Sequence, residues 1–227
     1  GVTDARVDDK CYVYGTIPAT AGYEDKKSLG FIAHMDTAPD FTGENVNPIV
    51  EENYDGENVV LGTSGRVISV ADFPHLKSIK GRTLIHTDGT TLLGADDKSG
   101  IAEIMTFVEE LLNSNEPHGK ICIGFTPDEE IGAGADHFDV KTFGADFAYT
   151  VDGGEENAVE YENFNAAGAT VKFNGVNIHP GDAKDIMVNA ALVAMEFNAM
   201  LPPTEVPSKT SGYEGFFHLT DMSGEDS

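Results

Sequence analysis

Four short polar clusters carry the side chains able to do chemistry: His34-Met35-Asp36, Gly94-Ala95-Asp96-Asp97-Lys98, Asp128-Glu129-Glu130 and Asp152-Gly153-Gly154. One imidazole and several carboxylates gathered without a counterion would repel, and some acids would have to take up protons. A divalent cation removes that difficulty. A His plus Asp/Glu set suits zinc, with manganese or cobalt as alternatives, far better than a soft thiolate set would. Several carboxylates can serve two ions roughly 3.5–4 Å apart, one acid bridging them. Such a pair polarises a carbonyl and activates water, and a further carboxylate off the metal takes the proton from that water. In Glu129-Glu130 the neighbouring side chains point in different directions, so one can bind metal while the other faces the water.

These clusters lie far apart in sequence and need a scaffold that makes them converge. Residues 28–33 read as a short buried strand, 83–86, 120–125 and 147–151 read as further strands, and 47–61 reads as a hairpin turning at Asp55-Gly56. Over 99–113 the period changes: Ile101, Ile104, Val108, Leu111 and Leu112 recur at helical spacing, before Asn113, Ser114, Asn115 and Pro117 stop the helix. Strand and helix alternate in the α/β manner. Three clusters follow a strand directly and Asp96-Asp97 opens the helix. All four therefore belong at the carboxyl-end rim of an open sheet, where such folds build their sites. Beyond residue 160 the character shifts. Residues 168–173 alternate like a half-solvated strand. Asp182 reads as the N-cap of a helix over 183–201 whose apolar stripe is Ile186, Met187, Ala190, Val193, Ala194, Phe197 and Leu201. Pro202-Pro203 end it, and 216–219 reads as one more strand. The expected fold class is α/β: a mixed or mostly parallel sheet flanked by helices over 1–162, and a smaller α+β lid over 163–227.

Composition narrows the function classes. The chain has 227 residues, 40% hydrophobic and 23% charged, within the globular range. With 14 Lys+Arg against 39 Asp+Glu its net charge is −25, which disfavours nucleic acid and anionic membrane surfaces as partners. The longest apolar run, Ala190–Met195, is too short for a transmembrane helix. Cys11 and Cys122 make no disulfide framework, and a cytoplasmic setting is expected. The chain opens and closes in mid-pattern, which reads as a piece of a longer protein. Taken singly, each cluster has an ordinary structural reading: a packed histidine, an acidic helix start, a solvated glutamate pair, a turn aspartate. Their matching positions in the topology argue for the joint, chemical reading.

The set 34–37, 94–100, 126–132 and 151–153 resembles the M20 family of dinuclear zinc peptidases. Asn177-Ile178-His179-Pro180-Gly181, followed by Ala183-Lys184 and Met187-Val188-Asn189-Ala190, resembles that family's dimerisation-type lid signature. Phe73-Pro74-His75-Leu76 and 213–219 narrow the likeness to its tripeptide aminopeptidases. The resemblance implies two Zn2+ ions, with Mn2+ or Co2+ as alternatives. His34 and Asp152 would bind one ion, Glu130 the other, and Asp96 would bridge them. Asp36 would orient His34, and Glu129 would be the general base. The Asp96–Asp97 peptide would be cis. His179 would reach the active site from the lid and steady a small peptide substrate. A homodimer is compatible, with the helix expected at 183–201 as its surface. The family's last histidine ligand, which follows the lid, has no counterpart here, because His218 belongs to the lid motif.

Other M20-type activities (dipeptidase, carboxypeptidase, N-acyl amino acid deacylase) share the same centre and stay open on the residues alone. So does a non-catalytic acidic protein binding calcium, although no D-x-D-x-D-G loop is present.

Overall fold

The computed structural model describes residues 1–62, 64–154 and 156–225. Contacts divide the chain into two units, 1–159 and 160–227.

The first unit is built on a five-stranded mixed sheet. Its strands are β1 (Thr3–Val7), β2 (Val13–Ile17) and β3 (Leu29–His34), with two that come later in the chain. Between β3 and those two lie β4 (Pro48–Glu51), β5 (Val59–Leu61), β6 (Arg66–Ile68), β7 (Leu84–Thr87) and helix α1 (Ala95–Asn113). Strand β8 (Ile121–Thr126), the helical turn α2 (Val140–Phe143) and strand β9 (Phe147–Thr150) complete the unit. The sheet order is β1-β2-β8-β3-β9. The central strand, β8, is buried at every residue, as a short apolar run covered on both faces must be. Along it, Ile121, Ile123 and Phe125 join Ile17, Ala33, Ile104 and Val108 in one core under α1. Cys122 points the other way, into a second core with Tyr12, Tyr14 and Phe143. Gly30 allows this second layer to close, since a Cβ there would lie 2.6 Å from the Phe143 ring and 2.9 Å from the Ala148 Cβ.

Strand register is what aligns the rim. β3 runs parallel to both β8 and β9, with His34 opposite Thr126 and Ile32 opposite Thr150. Two further bonds extend the alignment past the strand ends: Met35 N–H to Thr126 O at 2.8 Å, and Val151 N–H to Ile32 O at 2.7 Å. The segments that follow these three strands therefore leave the sheet side by side.

The expected hairpin over 47–61 is corrected. β4 pairs with β7, and β5 pairs with β6, both antiparallel. Long-range contacts overrule the local turn signal. Tyr54 is buried with Val59, Val70 and Leu76, its N–H bonds Arg82 O, and its carbonyl accepts the Gly81 N–H. Asp55 only caps the Glu57 N–H. The helix expected over 99–113 begins earlier, at Ala95, although Asp96 and Asp97 inside it have non-helical backbone.

In the second unit a 3-10 turn at Pro180–Asp182 precedes helix α3 (Ala190–Met200). The helix expected over 183–201 with Asp182 as its cap is therefore shorter. Asp185 sits at φ 62, which breaks it, and Asn189 is the residue that caps it, accepting the Leu192 N–H at 3.0 Å. The stretch just before the cap instead forms an antiparallel bridge between Val176 and Val188. Residues 168–173 and 216–219 form no strand among the described residues. Alternation alone does not make a strand without a partner. Phe173 packs on Phe197, with ring centroids 5.5 Å apart, and Phe217 N–H bonds Glu205 O.

Ile104 is 2% exposed in the main core. Ile104→Ala is expected to lower the unfolding free energy by about 2–5 kcal/mol, read from urea titration. A second test concerns the start of the sheet. Asp146 accepts the Ser28 N–H, the Lys27 ammonium and the Ser28 hydroxyl, and these hold its pKa down at about 2. A depressed folded pKa means the stabilisation is fully present above the ordinary aspartate value and is lost as pH falls toward the folded one. The urea midpoints of Asp146→Asn and wild type should therefore differ most above about pH 4. They should converge as the pH drops to about 2.

Candidate metal centre and active site

The site is built around a buried histidine with an open front. His34 ends β3 with its side chain 2% exposed. Its Nδ1 lies 3.2 Å from Asp36 Oδ1. Its Nε2 lies 2.9 Å from Asp96 Oδ1, 3.7 Å from Glu129 Oε2 and 3.8 Å from Asp152 Oδ2. Three acids from three separate segments thus converge on one ring nitrogen. The Asp96 side chain is 70% exposed, so the ring faces a solvent-accessible rim rather than a closed core.

Asp36 organises the loop opposite. Its Oδ1 accepts the Glu129 N–H at 3.1 Å, and its Oδ2 accepts the Glu130 N–H at 3.0 Å. Burial works against this carboxylate, but the Glu130 and Glu129 N–H groups outweigh it, and its pKa lies below the ordinary value. The loop itself turns at Asp128, in left-handed backbone at φ 61, into a 3-10 turn over Glu129–Ile131. Its far end hangs on two tyrosines, Tyr14 in β2 and Tyr12 just before it. Tyr12 Oη accepts the His137 N–H at 3.3 Å, and Tyr14 Oη accepts the Asp139 N–H at 2.8 Å. Neither tyrosine stands out in the sequence as more than an apolar residue two positions from another.

The Asp96–Asp97 peptide is cis. The two side chains part company: Asp96 faces the His34 ring, whereas Asp97 is 2% exposed and accepts the His34 main-chain N–H at 3.0 Å. Sequence reasoning assigned Asp97 no role beyond the acidic helix start. His179 lies in the other unit, where its Nδ1 accepts the Gly181 N–H at 3.1 Å.

The electrostatics are those of an acidic cluster short of cations. Among the described residues no Lys or Arg side-chain nitrogen lies within 4.0 Å of a carboxylate oxygen of Asp36, Asp96, Asp97, Glu129, Glu130 or Asp152. Burial pushes the Asp97 carboxyl up to about 6, and the Asp152 charge adds to the rise. Burial also raises Asp152, helped by the Asp96 charge. Burial disfavours a charged His34 ring, yet the Asp96 hydrogen bond and the Asp36 and Asp152 charges together raise its pKa. Among the described residues two groups have ligand atoms within 4.8 Å of one another: His34, Asp96 and Glu130, and His34, Asp97 and Asp152. One imidazole with several carboxylates is a donor set for a divalent cation such as zinc, manganese or cobalt.

The chain resembles known proteins. Residues 161–222 fit the model of the M20 peptidase dimerisation domain. Peptidase T of Clostridium perfringens is 59% identical over 99% of this chain and 55% of its own length. Peptidase T of Halothermothrix orenii is 57% identical with the same coverage. The chain thus spans about half the length of the curated relatives it matches. Among solved structures, an aminopeptidase of Bacillus cereus superposes with a TM-score of 0.56 at 23% identity, over 88% of this chain and 47% of that one. A tripeptidase of Staphylococcus aureus gives 0.59 at 21% identity, over 92% and 48%. These two share the fold. No helix among the described residues is long and apolar enough to cross a membrane. Over almost its whole length the chain is thus similar to peptidase T chains, and its residues 161–222 match the dimerisation domain of M20 peptidases.

Proposed function

We propose that this chain carries the metal centre of a dinuclear zinc aminopeptidase that removes the N-terminal residue from tripeptides. The observation that carries this reading is the meeting of Asp96, Glu129 and Asp152 at the Nε2 of His34. In this reading His34 and Asp152 would hold one ion and Glu130 the second, and Asp96 would serve both. Bound ions supply Lewis acidity at the scissile carbonyl and make water more acidic. Asp36 holds the imidazole through Nδ1, so that Nε2 keeps its lone pair for a ligand role. Glu129 is the general base. Its main chain is pinned to Asp36 while its side chain is 52% exposed, so the carboxylate can reach a water molecule, take its proton and pass it to the leaving amine.

The remaining assignments belong to the same proposal. Residues 1–162 form the catalytic, metal-binding part and 163–227 the lid. His179 steadies the peptide from the lid, and the dimerisation-domain match supports a homodimer. The setting is cytoplasmic. The relatives' printed name, peptidase T, supports the peptide substrate.

In the full-length protein, Glu129→Gln is expected to lower kcat about 10²–10⁴-fold. Zinc content by mass spectrometry should stay unchanged, and normal turnover would remove Glu129 from the base role. Dialysis against a chelator should abolish hydrolysis of unblocked tripeptides, and added zinc, manganese or cobalt should restore it. A preparation containing calcium and no transition metal, indifferent to the chelator, would overturn the reading. So would preferential cleavage of dipeptides, of a C-terminal residue or of N-acylated amino acids, which would point to another activity of the family.

A further inference from the structure

The cluster contains one buried acid with no part in the chemistry above. Asp97 uses both carboxylate oxygens on main-chain donors from two elements. Its Oδ2 accepts the His34 N–H at 3.0 Å, and its Oδ1 accepts the Gly100 N–H at 3.1 Å. His34 is the last residue of β3, and Gly100 lies in the first part of α1. Gly100 also marks how tightly a third element closes on this point. A Cβ there would lie 2.0 Å from Val151 O and 2.4 Å from Asp97 Oδ1. Val151 directly precedes Asp152. The carboxylate therefore sits where β3, α1 and the segment after β9 meet, one bond from the backbone of the histidine.

We propose that Asp97 is a positioning residue that fixes the main chain of His34, as Asp36 fixes its ring, and so sets the affinity of the cluster for its metal. The inference rests on the metal-centre reading. A histidine ligand must be held at two points, because an imidazole locked at Nδ1 still swings about its own Cα if the strand end frays. The strand ladder cannot hold that point by itself. β3 pairs with β8 through His34, but its pairing with β9 ends at Ile32. The His34 N–H thus turns to a side chain, and a buried carboxylate accepts it more strongly than a neutral group would. A ligand role for Asp97 itself would compete with two N–H bonds already made. A simple helix-capping role would need only the bond to Gly100.

Asp97→Asn separates these roles, because it keeps the shape and one acceptor oxygen while turning an NH2 group toward one of the two N–H donors. In the 227-residue chain, the metal-free His34 amide proton should sit at low field in wild type and move upfield in Asp97→Asn. Zinc affinity, from competition with a chromogenic chelator, should fall about 10–100-fold. Asp97→Ser can still cap Gly100 but cannot reach both donors, so it should recover thermal stability and not zinc affinity. An unmoved His34 amide, equal zinc affinity in Asp97→Asn, or full recovery of affinity in Asp97→Ser would each overturn the proposal. If Asp97→Asn does not fold, the wild-type chain still decides: a His34 amide at an ordinary shift that exchanges freely with solvent overturns it. A wild-type chain that binds no zinc would sink the metal-centre reading first, whereas binding by wild type and Asp97→Asn alike would sink this inference alone.

Discussion

One carboxylate couples the two halves of the candidate centre. Asp36 receives the His34 ring on one oxygen, and the Glu129 and Glu130 main-chain N–H groups on both. Its charge-assisted bonds therefore fix, at once, the orientation of the imidazole and the position of the loop facing it. Burial alone would make such an acid costly, and the donors reverse that cost. Remove Asp36 and the ring, the loop and the spacing between them are all released together.

That coupling is available only because the sheet delivers its partners to the same edge. β3, β8 and β9 run parallel, in a register that ends them side by side, so the residues that follow each one share a rim. The fully buried β8 supplies rigidity at the centre, and the cores on its two faces hold α1 on one side and the Tyr12-Tyr14 layer on the other. The same tyrosines then reach forward to hold the end of the glutamate loop. Packing and site geometry are thus served by the same side chains.

Legibility followed the range of the interaction. The strands near 28–33, 120–125 and 147–151 could be read because an apolar run of that length between turn residues is a local signal, and the Ile104–Val108 face of α1 because its period is local too. The errors occurred where distant contacts won. Asp55-Gly56 looks like a hairpin turn until Tyr54 is seen bonded to residues 81 and 82. The run 168–173 alternates like a strand but finds no partner strand among the described residues. The helix after Asp182 starts late because Asp185 takes left-handed backbone, and Asn189 then offers a better cap.

By itself the sequence determined the chemistry on offer: one histidine and a set of acids, each placed just after a strand or at the start of a helix, on a chain with the family's motifs in order. Only the tertiary structure decided which oxygen meets which hydrogen. The bond from His34 to Asp97 spans 63 residues, those from Glu129 and Glu130 to Asp36 span 93 and 94, and those to the two tyrosines span 125. Residue type and periodicity carry no information about contacts at that separation, because these depend on strand register and on how the layers close, and a shift of one residue would point every side chain the other way.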